Sequence, residues 1–222
     1  GCEISLHCAR IHAAAEAYIG LVATGVGLIP AGGGCKEMVI RANERAAGGL
    51  LAASSASAES DLDLYHACKP VFENIAMAKV GTSAEESRAL GYLRPADPVC
   101  MNRDRLVADA KQTALALARA GYRAPAVPPT EPSIRVLGQQ LIAAAKLAVH
   151  MMLRGEFISE HDALVARKLA WVLAGGELSA PQLVSEQYLL DLEREAFVSL
   201  CGERKTLERI AHTLKTGKPL RN

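Results

Sequence analysis

The sequence predicts a mainly α-helical chain with a few short strands, and three observations carry that expectation. Half of its 222 residues are apolar while aromatics make up only 4%, and the good helix formers Ala and Leu dominate. Apolar residues recur at helical spacing in several long stretches. Glycines and Ser or Asp residues punctuate those stretches where helices are expected to stop and start.

Taken in order, Glu3 to Ala9 predicts a helix, with Ile4 and Cys8 one turn apart. Arg10–Ala15 and Tyr18–Val22 predict short strands. The apolar run Ile19 to Ile29 then meets Pro30 and the three glycines Gly32-Gly33-Gly34, followed by a helix-forming segment from Cys35 to Arg45. Adjacent glycines let the backbone turn sharply and approach another group closely. Such a turn before a helix also leaves free N–H groups pointing outward. No Walker spacing or GxGxxG accompanies them.

The small-residue stretch Ala46–Ser60 predicts a loop. Asp61 to Met77 predicts a helix, with Pro70 expected to divide it. Ser83 and Glu86 have capping-box spacing ahead of a short helix that Gly91 stops. The clearest helix spans Asn102 to Ala120, with Leu106, Ala110, Thr113, Leu117 and Ala120 on one side and Gly121 beyond. Four prolines between Tyr122 and Ser133 predict an extended linker. Beyond it the pattern is helical throughout: Leu137–Leu153, Ser159–Leu173, Ser185–Leu200 and Lys205–Leu214, each followed by a glycine.

The formal net charge of +1 gives no reason to expect a nucleic acid or an anionic membrane as partner. No apolar run has bilayer-spanning length, and no signal peptide is recognisable. The six cysteines form no CxxC pair and no Cys/His cluster with zinc-ligand spacing. They predict reduced, mostly buried thiols in a cytoplasmic protein, with no metal or cofactor bound by this segment. The opening Gly1-Cys2-Glu3, without an initiator Met, predicts a piece of a longer protein. The six histidines are scattered. Met151, Met152 and Trp171 are expected in the core, and Lys205, Arg209 and Lys215 on a solvated face.

Glu3 is the one candidate catalytic residue. It lies in the first turn of its helix, where the dipole favours an anion, and a carboxylate there suits general acid–base work. Gly1-Cys2-Glu3-Ile4, the turn Ile29-Pro30-Ala31-Gly32-Gly33 and the stretch Ser83 to Leu93 together resemble the crotonase (enoyl-CoA hydratase/isomerase) superfamily. Gly25 to Gly34, Ile75 to Val80, Met101 to Leu106, Ser185 to Glu195 and Lys215 to Asn222 are similar to bifunctional 3-hydroxyacyl-CoA dehydrogenase/enoyl-CoA hydratases of fatty acid β-oxidation. The resemblance covers nearly the whole chain.

It implies the C-terminal half of a crotonase-like α/β fold plus a helical extension, divided as 1–121, a Pro-rich linker at 122–133, and 134–222. It further implies an acyl-CoA substrate, an NAD-dependent dehydrogenase domain elsewhere in the parent, a missing N-terminal crotonase half, and a homo-oligomer. In such hydratases two glutamates add water across the 2,3-double bond of an enoyl-CoA, while two backbone N–H groups stabilise the enolate oxygen. Glu3 matches the first glutamate. The second position falls on Ala23, which cannot transfer a proton. Glu16 has the wrong spacing to replace it and is read as a surface charge. Both oxyanion donors are expected upstream of Gly1, so the segment alone should be inactive. The alternative is a degenerate, non-catalytic crotonase half used for oligomerisation or domain docking. A third option is double-bond isomerisation or thioester hydrolysis with fewer carboxylates.

Overall fold

The computed structural model describes residues 1–50, 58–124 and 129–222, the side chains of 48–50 and 58–60 aside. It is mainly helical, with three two-stranded ladders. Helix α1 (Cys2–Leu6) is shorter than its apolar spacing predicts. The Cys8 N–H turns back to the Ser5 carbonyl at 3.0 Å, which tightens and ends it. Strands β1 (Ala13–Ala14) and β2 (Ile19–Gly20) are likewise shorter than expected. Pairing sets their length: β1 runs parallel to β4 (Val99–Cys100), and β2 antiparallel to β3 (Val80–Gly81).

A 3₁₀ turn at Ala23–Val26 leads into the glycine bend and α2 (Gly34–Leu50). Helix α3 covers Ala58–Ala76. The predicted loop 46–60 is therefore helical at both ends, and 51–57 lies outside the described residues. Pro70 sits inside α3 without dividing it. A mid-helix proline costs about 3 kcal/mol, whereas burying Val71, Phe72 and Ile75 stabilises by roughly 1.5–3 kcal/mol each. Packing outweighs the lost hydrogen bond, and the helix continues.

Helix α4 (Ala84–Leu90) is capped by Ser83, whose Oγ accepts from the Glu86 N–H at 3.1 Å. The expected reciprocal bond is absent, because the Glu86 carboxylate instead accepts from the Thr82 N–H and hydroxyl, both at 2.7 Å. A 3₁₀ turn at Arg103–Arg105 precedes α5 (Leu106–Arg119). Within the Pro-rich stretch, 125–128 lies outside the described residues.

Beyond that stretch the chain is not purely helical. Strands β5 (Ile134–Val136) and β6 (Gln182–Val184) pair antiparallel around α6 (Gln139–Arg154) and α7 (Glu160–Leu173). Their partners are far apart in sequence, so neither three-residue strand carries a local signal. Ser159 and Asp162 form the complete capping box of α7. Helices α8 (Glu186–Cys201) and α9 (Arg204–Thr216) finish the chain.

One hydrophobic cluster joins residues on both sides of the Pro-rich stretch, among them Leu6, Ile29 and Met38 with Leu141, Leu169 and Leu189. One surface expectation and one core expectation are corrected. Arg209 is 1% exposed because it donates to Asp162 Oδ1 at 2.6 Å, Ser159 Oγ at 3.2 Å and Asn222 Oδ1 at 2.8 Å, which replace the water it loses. Met151 is exposed on the outer face of α6, while Met152 and Trp171 are half-buried. Cys35, Cys68 and Cys100 are buried, Cys8 is exposed, and all six thiols are free.

Candidate functional site

The glycine bend is where chain distant in sequence converges. The first N–H groups of a helix have no partner inside it, and at α2 two glutamates from other helices take them. Glu3 of α1 accepts from the Gly32 and Gly34 N–H groups at 2.8 and 3.0 Å, both on Oε1. Glu193 of α8 accepts from the Gly33 N–H at 2.9 Å on Oε2 and from the Lys36 N–H at 2.5 Å on Oε1. Glu3 thus faces the bend, held by a neighbouring helix start rather than by its own.

The glycines are required by this approach. A Cβ at Gly34 would lie 2.8 Å from Glu3 Oε1. At Gly33, where φ is +88°, it would lie 2.5 Å from the His7 ring. The left-handed backbone and the close packing therefore both exclude a side chain there.

Further charged groups surround the bend. Lys36 is 3% exposed and donates to Glu37 Oε1 at 2.5 Å and Glu186 Oε2 at 3.0 Å. His7 Nδ1 lies 2.7 Å from the Glu3 carbonyl, and its Nε2 lies 3.7 Å from Glu37 Oε1. Burial pushes the Glu193 carboxyl up to about 7. The Lys36 and Gly33 N–H groups oppose that shift, and the charge on Glu3 adds to it.

Beside the bend is a cleft of about 280 Å³ lined by residues 1–3, 20–23 and Pro30. Glu3 and Ala23 therefore share it. Among the described residues nothing hydrogen-bonds Glu3 Oε2, so that oxygen keeps its lone pairs for another partner. Cys2 also lines the cleft, but burial and the Glu3 charge push its thiol up to about 11. It stays protonated at neutral pH and is a poor nucleophile. Glu16 is exposed and lines a different groove.

The residue that ends the 3₁₀ turn, Gly27, is pinned from α9. The Thr206 hydroxyl donates to the Gly27 carbonyl at 2.9 Å, and His161 Nε2 lies 2.8 Å from the Thr206 oxygen. That hydroxyl has one proton, so His161 is the donor to it. The 3₁₀ turn carrying Ala23 is thereby tied to α7 and α9.

Glu193, Lys36 and Glu37 escape a reading by motif. The signal for Glu193 was present: it falls in the buried stripe Leu189, Leu192, Ala196 and Leu200 of α8, and a carboxylate in such a stripe needs a partner.

No family model matches the chain. It is similar to the probable 3-hydroxyacyl-CoA dehydrogenase of Bacillus subtilis (strain 168), with 45% identity over 222 residues. That match takes in all of this chain and 26% of the relative. The chain thus spans about a quarter of the protein it matches, and the match gives no support for placing the stretch at that protein's C-terminal end. No described helix is long and apolar enough to cross a membrane. The chain is a mainly helical relative of one stretch of a protein named a probable 3-hydroxyacyl-CoA dehydrogenase.

Proposed function

We propose that this chain is a hydratase-like, crotonase-related part of a 3-hydroxyacyl-CoA dehydrogenase of fatty acid oxidation. In this reading Glu3 serves as acid or base beside the thioester of an acyl-CoA, and NAD is bound by another part of the parent. The stretch 134–222 is a helical extension joined to 1–121 through their common core, and the parent works as a homo-oligomer.

The observation that carries the reading is the placement of Glu3. Two bend N–H groups fix its Oε1, and the carboxylate opens on the cleft it shares with Ala23. A carboxylate held by N–H donors is pre-oriented, which general acid–base catalysis needs. Water held by Oε2 would give a proton to that carboxylate as its hydroxyl adds to the β-carbon, and the same carboxyl would return a proton to the α-carbon. Ala23 removes the second carboxylate, and an acid–base partner of that kind contributes roughly 10²–10⁴ in rate.

The test is hydration of crotonyl-CoA by the longer dehydrogenase-type protein in which the chain operates, read as loss of enoyl absorbance. Slow hydration is expected. Glu3→Gln keeps an acceptor for the bend but cannot transfer a proton, so it should abolish what remains. Ala23→Glu should raise the rate. No hydration by either the native protein or Ala23→Glu would remove the hydratase reading.

A second reading rests on Ala23 and on the structural use of Glu3 Oε1: a non-catalytic domain whose bend serves docking or oligomerisation. It expects Ala23→Glu to leave hydration at background.

A further inference from the structure

Away from the bend, the fold brings together three side chains that the sequence keeps apart. His12 precedes β1, Cys100 ends β4, and Asp109 lies in the first turn of α5. One ligand atom from each falls within 4.8 Å of the others. Cys100 is 5% exposed, and the other two are half-buried. We propose that His12, Cys100 and Asp109 form a binding site for a borderline-soft divalent cation of the zinc type, with its remaining coordination position facing the groove that His12 and Cys100 line.

The donor set is the first argument. An imidazole nitrogen, a thiolate sulfur and a carboxylate oxygen are the ligand types zinc accepts, and three protein ligands leave one position open. The hydrogen-bond pattern is the second. The Thr113 hydroxyl donates to the Asp109 carbonyl at 3.2 Å, which uses its proton. His12 Nδ1, 3.2 Å from that hydroxyl oxygen, must then be the donor to it. This fixes the neutral tautomer and leaves a lone pair on Nε2, as when a ligating histidine donates its other ring N–H to a neighbouring acceptor.

The carboxylate is placed similarly. Arg105 reaches Asp109 Oδ1 at 3.5 Å, and the Cys100 sulfur lies 3.3 Å from Oδ2 and 3.0 Å from the Asn102 carbonyl oxygen, either of which can accept its one proton. The sulfur is therefore already aimed at a carboxylate oxygen. Cation binding exchanges the thiol proton, released to solvent, for a metal–sulfur bond, with no change in oxidation state. Arg105 pairs with Asp109 and is an opposing charge at the site. Its side chain is 70% exposed and can leave Asp109.

The groove supplies access. It encloses about 900 Å³ beside β1 and β4, and Ser5, Tyr18, Thr82 and Arg103 also line it. Sequence spacing hides the site because each ligand comes from a different element.

Titration of the purified protein with Co²⁺ is the direct test, since a thiolate ligand gives a sulfur-to-cobalt charge-transfer band in the near ultraviolet. Wild type should show the band with one equivalent bound, and Zn²⁺ should displace it. Cys100→Ser should remove it, Cys8→Ser should keep it, and His12→Ala should weaken binding at least tenfold. Far-ultraviolet circular dichroism establishes that each variant is folded. Absence of the band in wild type, or its persistence in Cys100→Ser, would overturn the proposal. None of these readouts depends on hydration of crotonyl-CoA.

Discussion

Helices α2 and α5 invert what their sequences suggest. The start of α2, Cys35-Lys36-Glu37-Met38-Val39-Ile40-Arg41, carries three charges in seven residues and resembles an ordinary surface helix. Yet Lys36, Glu37, Met38 and Arg41 are all buried. Helix α5 is the clearest helix in the sequence, yet it buries none of its residues. Its Val107 is 82% exposed. Periodicity reports that a helix forms and which side is apolar. Whether that side is covered depends on neighbours that local sequence does not name. Around α2 the neighbours Glu3, Glu193, Glu186 and His7 meet the helix-start N–H groups and the charges of Lys36 and Glu37, whereas Arg41 donates to the Leu6 carbonyl and keeps Nε and Nη1 buried without a partner among the described residues.

The strongest way to break this contrast is Glu193→Ala. It leaves the Gly33 and Lys36 N–H groups without their acceptor in a buried setting, at ~1–3 kcal/mol for each unsatisfied group. Urea unfolding should show the corresponding drop in midpoint. A change within ~0.5 kcal/mol would mean the clasp at α2 contributes nothing.

A smaller effect concerns pH. The Glu193 carboxyl titrates near 7 in the fold, above the usual range for an exposed glutamate of ~4.3. Between these values the folded state binds more protons than the unfolded state. This group therefore makes stability fall as pH rises from ~4.5 to 7, with its contribution fully present below that window. Glu193→Gln should flatten that part of the stability–pH curve, measured by thermal unfolding at several pH values. An unchanged slope would show that Glu193 does not titrate there.

The smallest effect is expected on α5. Val107→Ser, at a site open to solvent, should change stability by no more than ~0.5 kcal/mol. A loss several times larger would show that another surface covers this face.

Much of the fold was legible locally. The complete capping box at Ser159, the Ser185 cap, the αL glycines at Gly91 and Gly217 and the apolar stripe of α8 all fall where their signals place them. The misses share one cause. Pro70 stayed inside α3, β5 and β6 paired, and Arg209 became buried because distant partners outweighed local preference. The same holds at the candidate site. Glycines before a helix announced free N–H donors, and Glu3 was singled out, but the acceptors of those donors lie on other elements. Glu193 is the clearest instance, 160 positions from Gly33.

By itself, the sequence determined the helical character and the glycine bend with its outward N–H groups. These follow from backbone sterics, side-chain chemistry and short-range periodicity. Only the tertiary structure decided that Glu3 and Glu193 share one helix start, that α2 is buried with its charges, and that His12, Cys100 and Asp109 meet. Those outcomes rest on long-range packing, which brings a buried polar group to its partner across many residues and leaves no trace in spacing along the chain.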